Sequence, residues 1–520
     1  MTGGPRFYLT TPSYYVNEQP HIGHVYTSTV ADVIARWQRQ RGRRTFLLTG
    51  TDEHASKVVE AAAQRGLTPQ QWADRNATIF QEVAKRYGIS HDDFLRTSEP
   101  RHRQRVQRYV AALRQTGDVY LGEYEGWYDP GEENYIPDNR AAEHDFRSPV
   151  SGRPLVRKRE KNYFFRLSAY APQLLQLFER EPRFVQPEAR RNEMVARIRS
   201  GLHDVPLSRT GMGSWGIEMP GDREQRIYVW IDALFNYLTA VDTEERRELW
   251  PADLHLIGKE ILWFHAVIWP ALLMALQRTP AYAWVALPRR IYAHSFWIHE
   301  GRKMSKSLGN FIDLQMLDGI KDHYGLDALR YYLLSQGPLG AQDTDFALGR
   351  FHDLYHAELA NKLGNLVSRT LQMTAKFAGS RVPDGGTPAE AERTLAARAG
   401  AAAEAVEEHM EGLAVGQALA AILELAARTN RYLDEREPWK AAKDPLRSGS
   451  VPTTLRHCCE ALYVVARLLE PFLPGTAREI AQRLGLEGLP GPGQAVRFGA
   501  LPAGLPTRKG EALFPRLEAL

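Results

Sequence analysis

Two short, continuously apolar runs, RFYLT at 6–10 and TFLLTG at 45–50, flank one amphipathic stretch at 25–41. Strand, helix, strand over so short a length predicts a βαβ unit, since parallel strands need a crossover and a helix is the usual one. A parallel sheet is covered on both faces, so its strands read as unbroken apolar runs instead of alternating ones. The same texture returns much later in RIYVWIDAL (226–234), LHLIGKEI (254–261), a long apolar helix and RIYAHSFWI (290–298). The expected fold is therefore α/β, with a parallel sheet written in two halves. Between the halves, 118–223 is rich in Gly, Pro, Tyr and charge, as in LGEYEGWYDPGEENYIPDNR, and predicts an insertion of short strands and turns. From 350 the chain becomes alanine- and leucine-rich with helical periodicity, broken by a loop at 379–392 (GSRVPDGGTPAEAE). A Gly/Pro-rich tail at 485–506 is expected to run over the surface.

Composition excludes several alternatives. The chain is 43% hydrophobic and 25% charged with a formal net charge of +4, the balance of an ordinary soluble globular protein. That charge is too small to argue for nucleic acid. The segment RHRQRVQRYVAALRQ (101–115) holds five arginines and no acid, which suits either a solvated helix face or phosphate contacts. The two cysteines, Cys458 and Cys459, are adjacent, so no disulfide framework exists and a reducing cytoplasm is expected. The N-terminal MTGGPRFYLTTP has no apolar signal core. The most apolar run, 261–276, is too short to span a bilayer and contains His265 and Pro270, so it reads as a buried helix and no membrane partner is expected.

Two motifs carry chemistry. In YVNEQPHIGHVYTSTVADVIARW (15–37), His21, Gly23 and His24 stand at a helix entrance. A helix N-terminus offers unpaired N–H groups and a positive dipole end, and a missing side chain lets a ligand approach the backbone. The two histidines either cap the helix or point together at a bound phosphate. The second motif, GRKMSKSLGN (301–310), sets Lys303 and Lys306 among small residues after the last apolar strand. Two flexible cations on such a loop suit the β- and γ-phosphates of a nucleotide as pyrophosphate leaves.

PHIGH before a helix and KMSKS after the last strand resemble the two signatures of class I aminoacyl-tRNA synthetases. The finer pattern is similar to the methionyl-tRNA synthetase family: TTPSYYVNEQPHIGH, GTDEH, YVWIDALFNY, HLIGKEI, GRKMSKSLGN and NKLGNLVSR occur in that order. The resemblance implies a Rossmann-like catalytic domain at 1–117 and 224–315, split by a connective insertion at 118–223. A stem-contact segment at 316–349 and a helical anticodon-binding bundle with tail at 350–520 would follow. It further implies ATP with Mg²⁺, methionine and tRNA(Met) as ligands, and ligation through a methionyl-adenylate. His21, His24, Lys303 and Lys306 would stabilise transition-state charge, with Gly23, Gly258, Lys259 and Glu260 completing the ATP site. Glu260 stands where the family often has aspartate. Asp52 would hold the substrate ammonium, and Tyr15, Trp230, Ala233, Leu234, Tyr237, Ile261 and His265 would line the side-chain pocket. Asn365, Arg369 and Trp439 match the family's anticodon readers, an exposed indole being suited to stack on an unpaired base.

The chain departs from many family members in the insertion, which lacks their zinc-binding Cys-x-x-Cys pairs. Asp129 and Glu132, with Ser148 and Ser151, occupy those places. Such hard oxygen groups make a poor tetrahedral zinc site, so a zinc-free insertion is expected. A monomer is expected as well, because no extra C-terminal module follows ALFPRLEAL. Other readings remain: a sister synthetase for an apolar amino acid, a small-molecule nucleotidylyltransferase, or a catalytically silent tRNA binder. The first usually carries a larger editing insertion, the second has no need of 350–520, and the third has no use for the histidines and lysines.

Overall fold

Six strands form the parallel sheet that the apolar runs predict, in the order Asp93–Arg96, Arg44–Asp52, Arg6–Tyr15, Leu254–Gly258, Ile291–His294 and Val185–Gln186. The computed structural model describes residues 5–17, 19–131, 134–136, 138–210, 213–299, 301–304 and 310–520. Leu254–Gly258 and Ile291–His294 are buried at every position, as strands covered on both faces must be. Val185–Gln186, the edge strand, comes from within the insertion. At two residues it is too short to leave a periodic signal.

The chain divides into two compact units, one of residues 7–20 and 46–295, the other of 1–6, 21–45 and 296–520. In the first, strands Arg6–Tyr15 and Leu254–Gly258 lie side by side at the centre of the sheet, and the chain runs outward from them in opposite directions. Ligands of open α/β sheets bind beyond the carboxyl ends of strands at such a reversal, which here means beside Tyr15 and Gly258. The insertion is less fragmented than its composition suggests. Val119–Asp129 and Val156–Phe165 pair antiparallel along most of their length, with ion pairs Arg157–Glu125 (2.8 Å) and Arg159–Glu123 (2.6 Å) across the hairpin. The arginines of 101–115 are partly internal: Arg101 grips Asp93 through two bonds (2.8 and 2.9 Å), Arg105 donates to the Asp242 carbonyl, and Arg114 donates to that of Pro220. The structural use of these side chains favours the plain helix over a phosphate-binding face.

In the second unit, helix Ile22–Gln40 buries residues around most of its circumference, more than an amphipathic helix would. A buried ion pair makes this tolerable. Asp32 accepts from Arg330 (2.7 Å) and Arg36 (2.8 Å), and Arg330 also donates to the Phe472 carbonyl (2.8 Å). Helices Glu390–Glu411, Val415–Arg436 and Val451–Leu469 pack against one another as the predicted bundle. The tail runs back along the loop at 380–382 and bonds Tyr355 and His356 through the carbonyls of Pro515 and Leu517. Among the described residues, no helix is long and apolar enough to cross a membrane.

Candidate active site

Helix Ile22–Gln40 begins three residues before the predicted stretch because His21 caps it. The Gly23 N–H donates to His21 Nδ1 (3.0 Å), and the His21 N–H donates to His24 Nδ1 (3.1 Å). A backbone N–H only donates, so both Nδ1 atoms are bare and each neutral ring carries its proton on Nε2. Capping and phosphate binding are thus compatible, since they use opposite edges of the ring. Burial, reinforced by the neighbouring His21, holds the His24 pKa well below the usual histidine range. A Cβ at Gly23 would stand 2.8 Å from His21 Cε1, so the His21 ring would have to shift.

The residues just beyond the second motif meet this helix entrance. His21 forms an antiparallel bridge with Asp313, the Ile22 N–H donates to the Ile312 carbonyl (3.3 Å), and the Phe311 ring lies 5.1 Å from that of His21. The lysine segment enters through strand Arg302–Lys303, paired with Trp297–His299 across a turn at Gly301 (φ +68°). Lys303 therefore ends a strand. Lys306 lies outside the described residues.

In the first unit, Tyr15, Asp52 and Gly258 end the central strands, whereas Tyr237 lies against His255 nearer their amino ends, ring centroids 4.4 Å apart. Tyr15 meets Trp230 edge-on at 5.6 Å, and Trp230 stacks on Phe264 at 3.8 Å, nearly parallel. Phe264 escaped the sequence reading because it begins a π-helical turn, Phe264–Ile268, which abandons the 3.6-residue period. His265 donates from Nδ1 to the Ile261 carbonyl (2.9 Å), so its Nε2 accepts from the Tyr237 hydroxyl (2.7 Å). Burial depresses His265 to about 4. Burial, with smaller contributions from Tyr14 and Asp52, pushes the Tyr237 hydroxyl above its ordinary range. Asp52 and Ala233 are buried. Leu234 is 1% exposed and packs into the hydrophobic core. Gly258 ends its strand, and a Cβ there would collide with the Glu260 carboxylate at 2.4 Å; Lys259 follows, half-buried. His294, adjacent to Gly258 across the sheet, was also missed; burial lowers it to about 4.

These depressed histidines carry a pH signature. Unfolded, each takes a proton near pH 6.5. Their contribution to stability is whole above that pH and is lost as pH falls toward about 4, at roughly 1.4 kcal/mol per unit for each of His265 and His294. The thermal midpoint should therefore drop between pH 7 and 5, and less steeply in His265→Gln. A flat profile contradicts the buried neutral rings.

In the helical bundle, the Arg369 guanidinium sits over the half-buried Trp439 ring at 5.5 Å and pairs with Asp434 at 2.5 Å. Asn365, one helical turn earlier, donates to Asn430 (3.3 Å). The three predicted readers thus lie in one neighbourhood. In the insertion, Ser148 Oγ accepts from the N–H groups of Val150 (3.2 Å) and Ser151 (3.0 Å), and Asp129 accepts from Gly131 (2.8 Å). Ser151 Oγ accepts from the Arg153 N–H (3.4 Å). Glu132 lies outside the described residues. Among the described residues, no group of three or more His, Cys, Asp or Glu is placed to hold a metal ion.

The family profile "tRNA synthetases class I (M)" matches residues 7–144 and 140–371, and "Anticodon binding domain of methionyl tRNA ligase" matches 382–519. Methionine--tRNA ligases of Halalkalibacterium halodurans and Bacillus subtilis are each 41% identical to the chain; the matches cover 98% and 99% of it and 78% of each relative. A Mycobacterium tuberculosis methionyl-tRNA synthetase solved with methionyl-adenylate superposes with a TM-score of 0.91 at 37% identity, covering 99% of this chain and 100% of that one.

Proposed function

The chain belongs to the methionyl-tRNA synthetases of class I, and on that footing we propose how its residues share the reaction. The activity is ATP-dependent ligation of L-methionine to its cognate tRNA. The methionine carboxylate attacks the α-phosphorus of ATP and expels pyrophosphate; the terminal adenosine of the tRNA then attacks the methionyl-adenylate carbonyl and releases AMP. Such transfers need no protein nucleophile, only positioning and charge stabilisation.

His21 and His24 donate from Nε2 to phosphate oxygens, with the Gly23 backbone close by. Lys303 and Lys306 neutralise the charge that grows on the departing pyrophosphate. Gly258, Lys259 and Glu260 receive the ATP ribose, with Glu260 accepting from a hydroxyl. Arriving with ATP, Mg²⁺ would supply further positive charge to the phosphates. Asp52 accepts from the methionine ammonium. Tyr15, Trp230, Phe264 and Tyr237 surround the thioether, each sulfur–ring contact contributing about 0.3–1.5 kcal/mol, and Ala233, Leu234, Ile261 and His265 shape the remaining wall. The observation that supports the reading is the backbone bridge from His21 to Asp313, three residues beyond the lysine motif. Pyrophosphate exchange measured with each of the twenty amino acids tests it. Exchange with methionine alone is expected; exchange led by leucine, isoleucine or valine, or none, overturns the assignment.

Asn365, Arg369 and Trp439 read the anticodon, with Trp439 as stacking platform. Trp439→Ala should lower kcat/KM for tRNA charging about 10- to 100-fold, as loss of roughly 1–3 kcal/mol of base stacking implies, and leave methionine-dependent exchange intact. Loss of exchange as well would make Trp439 a core residue. The functional segments follow the boundaries 1–117, 118–223, 224–315, 316–349 and 350–520. The enzyme acts as a zinc-free cytoplasmic monomer, with Ser148 and Asp129 holding backbone turns of the insertion. Light scattering near 58.9 kDa without stoichiometric zinc is the expected result; a dimer mass or one zinc per chain contradicts it.

A further inference from the structure

Two buried histidines from distant parts of the chain converge on one buried carboxylate. His54 Nδ1 lies 2.6 Å from Asp232 Oδ2, and His102 Nε2 lies 2.6 Å from Oδ1. Burial alone would raise the Asp232 pKa, but the two imidazoles outweigh it and hold the carboxyl below its usual range. An ionised carboxylate only accepts, so both ring nitrogens facing it carry protons. His102 Nδ1 faces the Thr239 hydroxyl at 3.1 Å.

The location gives the cluster its meaning. Asp232 sits in helix Val229–Leu234 between Trp230 and Ala233. His54 is two residues beyond Asp52, and Glu53 between them is clamped by Arg96 (2.7 and 3.0 Å) while its carbonyl accepts from the Trp215 indole (2.7 Å). The segment carrying the ammonium anchor is thus tied to the helix carrying the side-chain pocket by two charge-assisted bonds of fixed direction. A well-packed apolar trio would hold the elements together with less desolvation but would not fix their register so tightly.

We propose that Asp232 is a positioning residue for methionine, setting the Asp52 carboxylate against the Trp230–Ala233 wall, with His54 and His102 as its two hydrogen-bond donors. This rests on the assignment of Asp52 and Trp230 to methionine made above.

The test uses side chains that keep or lose a donor at a defined place. An asparagine amide can stand where Nδ1 was, and a glutamine amide where Nε2 was. Methionine and ATP dependence of pyrophosphate exchange is measured on the full chain, with unfolding midpoints alongside. Asp232→Asn and His54→Leu should raise KM for methionine at least tenfold while KM for ATP and kcat stay within about threefold. His54→Asn and His102→Gln should stay within threefold of the parent in all three. Unchanged methionine KM in Asp232→Asn or His54→Leu, an equal rise in both KM values, or His54→Asn behaving like His54→Leu overturns the proposal. If Asp232→Asn does not fold, His54→Asn against His54→Gln decides, with the same threefold and tenfold expectations; equal behaviour of that pair overturns it. Asp52→Asn separates the two layers. If it leaves methionine KM unchanged, the underlying pocket assignment fails; if it raises that KM and Asp232→Asn does not, only the positioning role fails.

Discussion

Replacing His24 with asparagine should slow adenylate formation by about 10²–10³-fold, the usual consequence of removing one donor aimed at developing charge, and leave the unfolding midpoint almost where it was. The asymmetry follows from the ring's two edges. Nδ1 accepts the His21 N–H at 3.1 Å and closes the helix cap, a role an asparagine oxygen can fill. Nε2 carries the proton assigned to a phosphate oxygen, and asparagine has nothing at that distance. His24→Leu removes both functions and should also lower stability by about 0.5–2 kcal/mol. Rapid-quench measurement of adenylate formation, beside a thermal melt, separates the two effects. An asparagine variant that melts early and reacts normally would show that His24 is only a cap.

Lys306→Ala should have a comparable effect, a fall of about 10²–10³-fold in adenylate formation, with KM for methionine unchanged. Lys306 lies outside the described residues; the described segments before and after it each have backbone partners. Arg302–Lys303 is hydrogen-bonded to the Trp297–His299 strand, and Ile312 and Asp313 are bonded to Ile22 and His21. We propose that the charge of Lys306 acts on departing pyrophosphate, and on that reading it has no methionine contact to lose. A parallel rise in methionine KM would place Lys306 in substrate binding instead.

Much of this arrangement was legible in the residues themselves. The runs at 6–10 and 45–50 announce buried parallel strands because full burial erases polar alternation, and those strands are neighbours in the sheet. The histidine and lysine motifs were readable because each combines rare residue types with a helix entrance or a strand end. What stayed hidden depended on geometry without period. Phe264 joins Trp230 through a π-turn that shifts its angular position. Asp32 reads as one polar residue on an amphipathic helix until Arg330 meets it in the interior. The Asp232 cluster draws on three segments whose spacing in the chain says nothing about their meeting. Arginines at 101, 105 and 114 looked available for phosphate because their internal partners come from distant positions or from backbone carbonyls.

We propose that the His21 and His24 rings and the motif lysines hold one triphosphate. A crystal structure of the chain with methionine and a non-hydrolysable ATP analogue tests it most directly. The expected result is phosphate oxygens within hydrogen-bonding distance of Nε2 of His21 and His24, with the Lys306 ammonium on the same phosphates. A triphosphate bound away from the Ile22–Gln40 N-terminus, with both imidazoles untouched, would contradict it.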